Sequence, residues 1–228
     1  MVQRSCAPYA LAQAFSSAAF HNLVRGDGAA AEGYAAESMA LAEELGVVSL
    51  SAIATTNHGA ALIAQGRYEE GIVGMRRGIF SIRATGGRPL TQDLCRLASG
   101  LRKVGQFEEG LLMLEAEFAS VATAGRQIDS PPLHRVRGEL LLAQNPSDGA
   151  KAEQCFRTAI EIARRQGARL EELRAATSHA RLLAKQGHHD EARTMLADIY
   201  GWFTEGFDTA DLIEAKALLG QLNAIQLV

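Results

Sequence analysis

The sequence predicts an all-α fold, a right-handed solenoid of about five helical pairs closed by a C-terminal capping helix. A tight corner of the form Gln65-Gly66-Arg67-Tyr68-Glu69-Glu70-Gly71 recurs along the chain. It returns at Gly105-Gln106-Phe107-Glu108-Glu109-Gly110 and at Gly187-His188-His189-Asp190-Glu191-Ala192. Gly26-Asp27-Gly28-Ala29-Ala30-Ala31 is a weaker copy, and Asn145 to Ala152 is a stretched one. The small residue after each corner falls at 31, 71, 110, 152 and 192, in steps of 40, 39, 42 and 40 residues. A fixed period of this size marks a repeat architecture, in which no single unit can bury its apolar face alone. Composition agrees. Apolar residues make up 47% of the 228-residue chain but aromatics only 6%, and alanine is plentiful, which suits helices packed through small side chains.

Each corner has the same surroundings. Upstream lies a small residue at a helix crossing: Ala19, Gly59, Ala98, Gly138 or Ala180. Four residues downstream of the corner's small residue comes a larger apolar side chain, Met75, Leu114, Phe156 or Leu196, with Ala35 in the first repeat. The expected elements follow in order. A helix over 7–24 carries Ala10, Leu11, Ala14, Phe15, Ala18 and Leu23 at helical spacing. Its partner over 29–45 is stopped by Gly46. The second pair covers 47–64 and 69–84, and Gly86-Gly87-Arg88-Pro89 then breaks the chain. The third pair covers 91–104 and 108–124, with Thr91-Gln92-Asp93 offering a capping hydroxyl or carboxylate. A loop over 125–132 leads into Ser130-Pro131-Pro132, with proline in the first turn. The fourth pair covers 133–143 and 149–166, and the fifth covers 169–186 and 190–202. An aromatic-rich turn over 201–209 precedes the last amphipathic helix, 211–225. The whole chain, 1–228, reads as one domain of repeats at about 7–46, 47–87, 88–128, 129–167 and 168–205, plus a capping helix over 209–225.

With small residues at close helix contacts and an aromatic at the corner, this pattern resembles the tetratricopeptide repeat (TPR) over roughly residues 8 to 205. The family's usual period is about 34 residues, so longer helices are expected here. The early tryptophan and late proline of the ideal repeat are absent. The runs Tyr200 to Lys216, Gly138 to Ala143 and Ala152 to Phe156 resemble the C-terminal repeat region of large bacterial signalling proteins. Those proteins carry an adenylate or guanylate cyclase head, or a LuxR-type DNA-binding head, beside a signalling ATPase. The resemblance implies a sensor or partner-binding arm in a longer protein, with no catalytic part in this chain.

No Gly-Lys-Ser/Thr phosphate loop exists. Gly26-x-Gly28-x-x-Ala31 follows a helix, where a dinucleotide fingerprint needs a strand. His188 and His189 are adjacent on a turn and point apart, so no metal site is expected. His58 and His179 occupy equivalent repeat positions and read as packing residues; the pattern assigns no role to His21 and His134. The pairs Glu69-Glu70, Glu108-Glu109 and Glu171-Glu172 read as solvated first-turn acids that favour the helix dipole.

The first helix of each pair in such a solenoid lines a concave groove. The repeat register places Asn57, Arg96, Ser99, Arg102, Lys103, Arg135, Glu139, Arg174 and Arg181 on or near it. Arginine forks hold carboxylates or phosphates in a bidentate way, so the expected ligand is a protein or peptide segment of acidic character. The leading function is therefore a non-enzymatic protein-interaction and regulatory domain. The alternative is a small-molecule effector sensor that controls an attached cyclase, ATPase or DNA-binding head. No cofactor is expected. A net charge of −3 gives no sign of direct nucleic-acid binding. No apolar run is long enough for a membrane span. Cys6, Cys95 and Cys155 are odd in number and far apart, which reads as reduced thiols in a cytoplasmic protein. Met75, Phe80, Phe118 and Trp202 leave self-association open.

Overall fold

The computed structural model describes residues 6–123 and 130–225. Residues 125–129 of the expected loop over 125–132, the repeat boundary at 128/129 and the first five residues lie outside them. The described residues form eleven α-helices and no strand. By internal contact the chain divides into two compact units, Met1–Gln106 and Phe107–Val228, each taken by itself below.

The first unit contains α1 (Cys6–Arg25), α2 (Gly28–Glu44), α3 (Val48–Ala64), α4 (Tyr68–Ala84) and α5 (Thr91–Lys103). Consecutive helices pack on one another, and α1, α3 and α5 also touch in sequence, forming one layer. The second unit contains α6 (Phe107–Thr123), α7 (Pro131–Gln144), a 3-10 turn (Pro146–Asp148), α8 (Gly149–Gln166), α9 (Arg169–Lys185), α10 (His189–Tyr200) and α11 (Ala210–Ile225). Here α7, α9 and α11 form the equivalent row.

Helix ends are set by the corners. At Gly66 the chain turns left-handed, with φ of +84°. The Arg67 N–H then reaches back to the Leu62 carbonyl at 2.9 Å, and the Gly66 N–H reaches that of Ile63 at 3.0 Å. This six-residue closure satisfies carbonyls that the helix end would otherwise leave open, at a conformation that costs other residues about 1 kcal/mol or more. The same long bond recurs as Asp27 to Asn22, Val47 to Ala42, Gly87 to Ile82, Gln106 to Leu101, Ala168 to Ala163 and His188 to Leu183. The stretched corner at 145–149 does it differently. Asn145 Oδ1 accepts the Ser147 N–H at 3.1 Å, and Pro146 opens a short 3-10 turn instead. The expected cap of α5 differs in detail. Leu90, not Thr91, is the N-cap of α5, and Asp93 folds back to accept the Leu90 N–H. Ser130 holds the N-cap position of α7, but its hydroxyl makes no cap bond.

The small–large grammar is the core. Ala31, Ala152 and Ala192 are fully buried, as are Met75, Leu114, Leu196 and Ala35; Phe156 is nearly so. Met75, which left self-association open, therefore belongs to the interior. Phe80 and Trp202 are largely exposed. Helix α11 closes the second unit with Leu212, Ala215, Leu218 and Leu222 buried on one face, in the same cluster as Leu173 of α9 and Leu196 of α10.

Helices α3 and α4 approach closely at their glycines. A Cβ built on Gly59 would sit 2.5 Å from the Met75 nitrogen and 2.8 Å from the Gly71 oxygen. One built on Gly78 would sit 2.2 Å from Thr56 Oγ1 and 2.7 Å from the Thr56 nitrogen. Apart from the Thr56 hydroxyl the displaced atoms are backbone, so the helices themselves would have to separate. Gly33, on the exposed side of α2, meets nothing within 4 Å. Alanine at the two positions should act in opposite directions. Gly78→Ala is expected to lower the unfolding free energy by about 2–3 kcal/mol through overpacking. Gly33→Ala is expected to raise it by about 0.5–1 kcal/mol through helix propensity. Urea denaturation midpoints of the two variants check both signs.

Candidate functional site

The nine groove residues divide between the units. Asn57, Arg96, Ser99, Arg102 and Lys103 lie on α3 and α5 of the first. Arg135, Glu139, Arg174 and Arg181 lie on α7 and α9 of the second.

In the second unit they join a lattice of charge across α7, α9 and α11. Glu171, Arg174, Ser178 and Arg181 follow one another at helical spacing on one side of α9. Arg174 Nε and Nη2 grip the two oxygens of Asp211 on α11 at 2.9 and 2.8 Å, and Nη1 donates to Glu171 at 2.8 Å. Arg181 pairs with Glu214, also on α11. On the other side, Ser178 Oγ donates to Glu139 Oε1 at 2.8 Å, and Arg135 Nη1 donates to the same oxygen at 2.6 Å. Sequence reasoning located the cations but not Asp211, Glu214 and Ser178, because cross-helix partners leave no mark in local spacing. The arginines thus form a neutralised lattice rather than a bare basic strip. Burial tends to lower the pKa of Arg174, but Asp211 and Glu171 more than offset this and hold it above the ordinary arginine value. Arg135 behaves the same way, with burial outweighed by Glu139 and Glu171. The pair at Arg181 is open to solvent, with 44% of its side chain exposed, whereas that of Arg174 is 19% exposed. The former is therefore the more exchangeable.

In the first unit, Asn57 is buried at 4% exposure and donates to the Ser16 carbonyl at 3.1 Å and the Ser16 hydroxyl at 3.2 Å. Arg96 pairs with buried Asp93 at 3.1 Å and lies 5.1 Å from the centre of the Phe20 ring. Burial pushes the Asp93 carboxyl above its ordinary pKa, against the pull of Arg96. Ser99 Oγ is turned onto its own helix, donating to the Cys95 carbonyl at 2.9 Å. Arg102 is half-buried and Lys103 exposed at the end of α5. Beside Asn57 opens a cavity of about 580 Å³ between α1, α3 and the α4–α5 connection. Its walls include Phe20, Leu50, Ile53, Ile82 and Leu90, with Ser16, Asn57 and Asp93 among its polar groups.

Two other sequence readings change. Glu172 is not a solvated first-turn acid. It is 3% exposed and held by Arg164 Nε at 2.6 Å and Arg169 Nη1 at 2.9 Å. Arg169 in turn stacks 3.3 Å from the centre of the exposed Trp202 ring. The equivalent histidines also part company. His58 stands 3.8 Å from Glu32 at the surface, while His179 is buried beside Phe156 with neither ring nitrogen hydrogen-bonded. Among the described residues no group of three or more His, Cys, Asp or Glu could hold a metal ion. No helix among them is long and apolar enough to cross a membrane. Cys95 and Cys155 are buried and form no disulfide among the described residues.

No family model matches the chain, and no curated protein matches it. Among solved structures it is similar to the nearly identical TPR-like repeats of a protein described as a kinesin light chain from Podosopora anserina. The likeness is 17% identity and a TM-score of 0.54, over 85% of this chain and 95% of that one. A variant of the same protein gives 15% identity and a TM-score of 0.56, over 85% and 94%.

Burial of uncharged His179 holds its pKa below the ordinary 6.5, with Glu153 and Glu191 opposing and Arg157 reinforcing that shift. The unfolded chain therefore takes up a proton first as pH falls. Stability should be complete above pH 6.5 and decline on acidification below it. His179→Phe should flatten that decline, read as melting temperature against pH from 7.5 to 5. Removing the fork partner should act at all these values: Asp211→Ala is expected to cost about 2 kcal/mol by stranding part of Arg174. The loss is measured by urea unfolding at pH 7.5. Together these geometries rest on a fold that the structural likeness identifies as an all-α solenoid of TPR-like repeats.

Proposed function

We propose that the chain is a non-enzymatic protein-interaction and regulatory module, holding a partner segment along the α7–α9–α11 row of the second unit. The carrying observation is the lattice just described: rigid, pre-oriented guanidinium and carboxylate groups on adjacent helices. A partner carboxylate exchanges with Glu214 at the solvent-open Arg181, while Arg174 and Glu139 hold the row in place. Pre-organised charges cost little ordering when a partner binds, and they select against partners of the wrong sign. An acidic segment, or one of alternating charge, suits this surface. In the longer bacterial signalling protein that the sequence resembles, such an arm would report to a cyclase, ATPase or DNA-binding head.

A second reading, effector sensing, is favoured by one observation, the cavity beside Asn57 in the first unit.

The test of the interaction reading is affinity capture from the source cytosol, followed by binding of the purified partner to wild type, Arg181→Glu and Arg181→Lys. Arg181→Glu should weaken a specific partner at least tenfold, Arg181→Lys much less, and the wild-type affinity should fall as salt is raised. A partner held equally by all three, with no salt dependence, would overturn the assignment of this surface.

A further inference from the structure

The cavity of the first unit has a chemistry more specific than its shape. Its wall is mainly apolar, and Ile53 and Leu90 stand partly exposed at its edge. Its volume of about 580 Å³ falls in the range that holds a small organic molecule. The polar groups are not evenly matched. A backbone carbonyl can only accept, so the contact with the Ser16 oxygen fixes the Asn57 amide with its nitrogen toward α1. The carboxamide oxygen then accepts from no described residue, on a side chain 4% exposed that lines the cavity. A ligand donor entering the cavity can pair with that oxygen. The Asp93 carboxylate also lines the cavity and is already engaged by Arg96 and the Leu90 N–H.

We propose that this cavity binds an uncharged small molecule with an apolar body and a single N–H or O–H donor, the donor going to Asn57 Oδ1. An anionic head would meet the Asn57 oxygen and Asp93, both acceptors. A cation would lose its hydration among apolar walls, beside a carboxylate that Arg96 already neutralises. Arg88, which also lines the cavity, is exposed, where its attraction for an anion is screened by salt. The proposal rests on the effector reading and on the first unit alone, so it stands or falls independently of partner capture at Arg181.

The probe is N-phenylnaphthylamine, an uncharged amphiphile with one N–H whose fluorescence rises in apolar surroundings. Benzylnaphthalene, of like shape with a methylene in place of the N–H, serves as competitor. The full chain should give saturable one-site binding. Ile53→Glu, at a partly exposed position on the cavity wall, should weaken it at least tenfold with helix content unchanged. Leu112→Glu, an exposed residue of α6, should leave it unchanged. The preference for the N–H compound over its methylene analogue should fall about fivefold in Asn57→Leu, the worth of one neutral hydrogen bond. Equal binding to wild type and Ile53→Glu would overturn the site. Binding that is lost in Ile53→Glu, with an N–H preference unchanged in a folded Asn57→Leu, would overturn the donor assignment. Should Asn57→Leu fail to fold, a wild-type chain that does not prefer the N–H compound would overturn that assignment instead.

Discussion

Two helices can bring their backbones into contact only where neither has a side chain at the crossing. That constraint governs the α3–α4 hairpin. Gly59 lies against the backbone of Gly71, Gly74 and Met75, and Gly78 lies against Thr56. With no side chains to spread them, the helices gain close dispersion contact along their length. At three of the other crossings the constraint is relaxed by one methyl group. Ala19, Ala98 and Ala180 are fully buried at the equivalent crossings. The left-handed glycines at the corners serve the same end, because they return the chain within two residues and leave no slack between paired helices.

From this packing follows a division of labour. The large apolar residue after every corner but the first is buried in the core, which frees the row of first helices from making the core alone. Polar and charged groups can then occupy that row. In the second unit they do so as forks and bridges tied across three helices through Arg174, Ser178 and Arg181. In the first unit the row instead carries Phe20, Leu50 and Ile53 around a buried asparagine. One repeat grammar thus supports a charged surface in one unit and an apolar cavity in the other.

The fold was legible because its determinants are local and periodic. Glycine, aromatic and small residue recur at intervals close to 40 residues, and each of those positions can be read without knowing its partner. The site was legible only in part. Spacing within a helix placed Arg135 with Glu139, four residues apart, on one face. It could not pair Arg174 with Asp211, 37 residues away, nor reveal that Glu172 is buried between Arg164 and Arg169. Asn57 was selected by register. Its bond to Ser16 and the cavity beside it depend on how α1 packs on α3, which no single helix encodes. The two histidines teach the same lesson. Equivalent repeat positions put His58 at the surface and His179 in the interior, because the neighbouring helices differ.

The central claim is that close backbone packing makes the first-helix rows rigid supports for their sites. Native-state hydrogen exchange of the α3 and α4 amides tests it most directly. The account predicts that both helices exchange only through global unfolding, with the protection free energy tracking the urea stability. Exchange of α3 through local opening, independent of urea and several kcal/mol below the global value, would contradict it.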